Sequence, residues 1–89
     1  MNISSTHQRD ALGGWDISVN IGGSATEITA SVRVELNDFS LYDQRLDPPT
    51  NQWIKEFVQK GYYPGLNRLV VTATDADGKD YVYTEEWGS

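Results

Sequence analysis

The chain has 89 residues, a formal net charge of −6 and no cysteine. That length supports one domain with one core. The missing cysteine excludes disulfide scaffolding, thiol catalysis and thiolate metal sites, and the acidity opposes direct contact with phosphate backbones.

No apolar run is long enough for a membrane-spanning helix, and residues 1–7 lack a basic segment followed by an apolar one. The expected setting is cytoplasmic. The acidity serves solubility or a basic partner.

Residues 1–13 are polar and without period, which reads as a flexible N-terminal arm before a single α+β domain over 14–89. Asn2-Ile3-Ser4 matches a glycosylation sequon, a match that carries no meaning in the expected cytoplasmic setting. Trp15, Ile17, Val19 and Ile21 alternate with Asp16, Ser18 and Asn20, the pattern of a half-buried strand. A second alternation runs through Ile28, Ala30, Val32, Val34 and Leu36. A glycine-rich turn separates the two, so they are expected to pair as a hairpin, with Val19 facing Ala30 and Ile17 facing Val32. Residues 37–47 read as an ordered loop with a short extended piece at Phe39 and Leu41. After Pro48-Pro49, the spacing of Trp53, Ile54, Phe57 and Val58 predicts a short helix capped by Thr50 or Asn51 and ended by Gly61.

The stretch Arg68 to Trp87 reads as two strands around Asp75-Ala76-Asp77-Gly78. That tetrapeptide suits a type I turn with Gly78 at positive φ. The turn predicts Asp75 opposite Lys79, Ala73 opposite Tyr81 and Val71 opposite Tyr83, with Leu69, Val71, Ala73, Tyr81, Tyr83 and Trp87 on one side. A one-residue slip would turn the tyrosines away from the apolar face. The expected assembly is thus a two-layer α+β domain of about four antiparallel strands, in the order β-β-α-β-β, with the helix on one face.

Catalytic chemistry finds little support. His7 is the single histidine, and an imidazole on a mobile arm cannot be oriented for a catalytic triad. Asp75, Asp77, Gly78 and Asp80 suggest a calcium loop. Placing Gly78 sixth, however, puts Ala73 at the first ligand position and Thr84 at the twelfth, and neither supplies a carboxylate. Glu85 and Glu86 are neighbours in a strand and point to opposite faces. Gly13-Gly14 and Gly22-Gly23 lack the spacing of a phosphate-cradling loop. The expectation is no catalytic residue, no metal and no cofactor, and hence no enzyme.

Binding has more to work with. From Arg68 to Ser89 the chain carries five acids against two bases. Asp75, Asp77, Asp80, Glu85 and Glu86, with the adjacent tyrosines Tyr62 and Tyr63, are the expected partner-binding residues, since tyrosine is enriched at protein interfaces. The function that follows is a small acidic protein-binding module, an inhibitor that masks a basic, nucleic-acid-handling surface of a protein partner, as a monomer or weak homodimer. In size and charge the chain is similar to phage-encoded inhibitors of bacterial defence, anti-CRISPR proteins among them; this likeness is one of type, carried by no particular residue. The alternative is a structural or assembly subunit of a virion or secretion system, self-associating through edge strands.

Overall fold

The computed structural model describes residues 1–60 and 65–88. Its elements are all strands: β1 (Asn2–Arg9), β2 (Trp15–Gly22), β3 (Thr29–Leu36), β4 (Phe39–Thr50), β5 (Gln52–Gln59), β6 (Leu66–Asp75) and β7 (Asp80–Gly88). They form two antiparallel sheets, one of order β1-β2-β5 and one of order β4-β3-β6-β7. The α+β assembly of four strands and a helix is therefore corrected to an all-β arrangement, with seven strands and no helix among the described residues. No helix among the described residues is long and apolar enough to cross a membrane.

The two alternating segments at 15–21 and 28–36 are strands, but they do not pair with each other. β2 lies between β1 and β5, whereas β3 lies between β4 and β6. Both turn their apolar row inward: Trp15, Ile17, Val19 and Ile21 from one sheet meet Val32, Val34 and Leu36 from the other. Leu69, Val71 and Ala73 of β6 complete the layer between the sheets, all fully buried. Burying a side chain of this kind contributes about 1.5–3 kcal/mol. Two sheets that each bury one face make a sandwich, and the polar rows stay outside.

The expected helix at 50–60 is strand β5, paired to β2 from Trp15↔Gln59 to Gly22↔Gln52. Trp53 and Phe57 face the core as expected of the anchors, with Phe57 buried. A separation of four is even, so it places two residues on one side of a strand as well as on one face of a helix. Ile54 and Val58, which completed the helical stripe, point outward and are 64% and 57% exposed.

Residues 37–47 are not a loop. Asn37 and Asp38 have φ of 52° and 68° and form the two-residue turn between Leu36 and Phe39. Positive φ at both central positions suits a type I′ hairpin, which Asn and Asp tolerate. Buried Asn67 accepts a hydrogen bond from Asn37 Nδ2 at 3.0 Å, and Asn37 Oδ1 accepts the Arg68 N–H at 2.9 Å. These bonds tie the turn to the start of β6. From the stretch expected as a flexible arm, residues 2–9 pair with β2 along its whole length.

The β6–β7 register agrees with the turn chemistry: Ala73 opposes Tyr81 and Val71 opposes Tyr83. Asp75 donates its N–H to Lys79 O, and Gly78 has φ 86° and donates to Asp75 O.

Candidate acidic end and strand edges

The molecule measures 40 × 18 × 18 Å, so what lies at one end is remote from the other. The β6–β7 turn stands at one end. There, Oδ1 of Asp75 accepts the N–H groups of both Asp77 and Lys79, each at 2.9 Å. Asp75 is thus committed to the turn it opens. Asp77 and Asp80 are exposed, and Asp80 Oδ1 accepts the Thr74 hydroxyl at 2.7 Å.

Beside the turn, both ladders of β3 shift between Thr29 and Ser31. On the β4 side, Thr29 pairs with Thr50 but Ser31 pairs with Arg45, so Leu46 to Pro49 stand against Ala30 alone. The mismatch bows β4 away and opens a groove of about 580 Å³ lined by Arg45, Asp47, Thr74, Asp75 and Gly78 among others. It places Asp47 next to the turn acids. Sequence reading assigned Asp47 to no site, because the Pro-Pro pair beside it looked like a helix entry.

Of the seven residues expected at the partner surface, the five acids are described, and they are not all brought together. Asp75, Asp77 and Asp80 share the acidic end. Glu85 and Glu86 lie farther along β7, roughly 20 Å from the turn at about 3.4 Å per residue. Their side chains alternate: Glu86 sits on the outer face opposite Arg68, and Glu85 on the core-facing row, where Tyr83 Oη donates to Glu85 Oε2 at 3.2 Å. Tyr62 and Tyr63 lie outside the described residues.

His7 belongs to the opposite end. It stacks on Trp87, with centroids 4.1 Å apart and planes 7° apart, and meets the edge of Trp15. The Arg9 guanidinium lies 4.5 Å over the Trp15 ring. These contacts join β1 of one sheet to β7 of the other. Ser5 Oγ and Tyr83 Oη, 3.1 Å apart, add a hydrogen bond along the same seam.

Among the described residues, no group of three or more His, Cys, Asp or Glu side chains is placed to hold a metal ion. Glu27 pairs with the amino terminus, and that hydrogen bond, with a second from the Ser24 backbone, holds its carboxyl below the ordinary value. No family model matches the chain, and no curated protein matches it significantly.

Proposed function

We propose that the chain is a small non-enzymatic binding module whose acidic end docks on a basic surface of a protein partner. The surface it covers is one the partner uses to handle nucleic acid. The observation that supports this reading is the gathering of Asp47, Asp75, Asp77 and Asp80 at one end of the molecule, against Arg45 and Lys79. Exposed carboxylates presented on a rigid sheet can take the places of phosphates in a basic groove, and they steer a basic partner into contact. The fold itself assigns no function. Inhibition of bacterial defence by a phage-encoded protein is the biological setting that such a module suits, acting in the cytoplasm.

Capture on the immobilised chain from a nuclease-treated bacterial lysate tests the reading, with an Asp77→Lys/Asp80→Lys variant as the parallel bait. The expected result is a basic nucleic-acid-binding protein retained by the unaltered chain, lost from the variant, and displaced from its nucleic acid when the chain is added in equimolar amount. Equal retention by both baits, or a retained protein whose nucleic-acid binding is undisturbed, would refute it.

A further inference from the structure

We infer that β7 is a docking edge, and that the partner adds an extended basic segment to it as an eighth strand. This inference rests on the reading of a basic partner and specifies how that partner is held.

Among the described residues the sandwich has four edge strands, β1, β5, β4 and β7. An unpaired edge is a template for another strand, and proteins blunt it with proline, bulges or charge. β4 carries Pro48 and Pro49 and two register shifts. β5 carries Lys55 on its core-facing row, and β1 carries His7 and Arg9 on its own. β7 differs. Its ladder with β6 runs unbroken from Thr74↔Asp80 to Leu66↔Gly88, and Asp80–Gly88 contains no proline, lysine or arginine. Its charges are Asp80, Glu85 and Glu86, all negative. Negative charge of one sign repels an acidic strand, including a second copy of this chain at net charge −6, and admits a basic one.

The backbone is set for such an addition. Asp75 and Lys79 are the hydrogen-bonded pair that closes the hairpin. Hydrogen-bonded pairs in an antiparallel ladder recur at every second residue, so Tyr81, Tyr83, Glu85 and Trp87 bond to β6. The N–H and C=O groups of Val82, Thr84 and Glu86 then point to the open side. The outer row there reads Asp80, Val82, Thr84, Glu86, with Val82 65% exposed at its middle. An added strand would cover Val82 and set its basic side chains beside Asp80 and Glu86. Main-chain bonds would supply affinity, and the flanking acids would select sign.

The test uses a synthetic peptide of about ten residues alternating Lys and Val, long enough to span β7 at roughly 3.4 Å per residue, with a Glu–Val peptide as control. Amide hydrogen exchange is followed by NMR on the whole chain. The expected result is slowed exchange at Val82, Thr84 and Glu86 with the Lys–Val peptide alone, and roughly tenfold weaker binding to Val82→Pro. That substitution removes an outward N–H and no β6–β7 bond, so the melting temperature should hold. If it fails to fold, the exchange pattern of the unaltered chain decides. Salt-sensitive binding that leaves those three amides unprotected would overturn the docking edge while keeping the basic-partner reading. Absence of any preference for the Lys–Val peptide would overturn both, and a β7-mediated homodimer would overturn the choice of partner.

Discussion

Phe57 and Ile54 show how single residues divide between core and surface. They are three apart on β5 and point oppositely, Phe57 to the core and Ile54 to water. Phe57→Ala should cost roughly 3–5 kcal/mol, because it leaves a cavity between the sheets. Ile54→Ala should change stability by under about 0.5 kcal/mol. Denaturant midpoints for the pair check this directly, and the two costs would converge if the segment were helical with both residues packed. Glu27 makes a second test at this scale. Its carboxyl is held below the ordinary value of 4.5, chiefly by the amino-terminal ammonium. A lowered folded-state value means stability that is present above about pH 4.5 and lost as pH falls through the lowered value. Glu27→Gln, or acetylation of the amino terminus, should therefore flatten the acid limb of stability against pH. An unchanged acid limb in both would show that the pair contributes nothing.

The hairpin β6–β7 was legible because its turn chemistry is local. Asp at the first position and Gly at the positive-φ position specify one loop length, and the loop length specifies the register. Asp75 to Gly78 therefore placed Tyr81 and Tyr83 correctly with no knowledge of the rest. The same locality sets the cost of breaking it. Gly78→Val should destabilise by about 1–2 kcal/mol through strain at φ 86°. Asp75→Ala should cost a similar amount, about 1–2 kcal/mol, since it removes the acceptor for two backbone N–H groups. Asp77→Ala should be near neutral, and thermal melts of the three variants separate them. Pairing between segments was not legible in the same way. β2 and β3 each announce one apolar face, and that face fits a neighbour in the same sheet or a partner across the sandwich equally well. β1 escaped notice because its inward row, Ile3, Ser5, His7 and Arg9, is mostly polar and has no apolar period to read. β5 was misassigned because the Trp53 and Phe57 spacing satisfies both periods, and outward Ile54 and Val58 supplied the false helical face.

For the whole molecule, the acids expected to act together are divided between an end and an edge. Asp77 and Asp80, with Asp47, lie at the turn end; Glu85 and Glu86 lie along β7. In the proposed reading, the turn steers the partner and the edge holds it. Asp75 is a poor probe of either, since its carboxylate closes the turn; Asp77 is the clean one. The turn register already turned Val82 outward, but its place on an edge, and that of Asp47 beside the turn, depend on the strand order and on the β3 shift at Ala30. In the proposed function, the acidic end steers the chain onto a basic partner. Its most direct test is the association rate with the captured partner, measured by stopped flow at about 0.05 and 0.5 M salt. The unaltered chain should associate at least roughly tenfold more slowly at the higher salt, and Asp77→Lys/Asp80→Lys should be slow at both with its melting temperature kept. Rates that are equal at the two salt concentrations, or a variant as fast as the unaltered chain, would contradict steering by the acidic end.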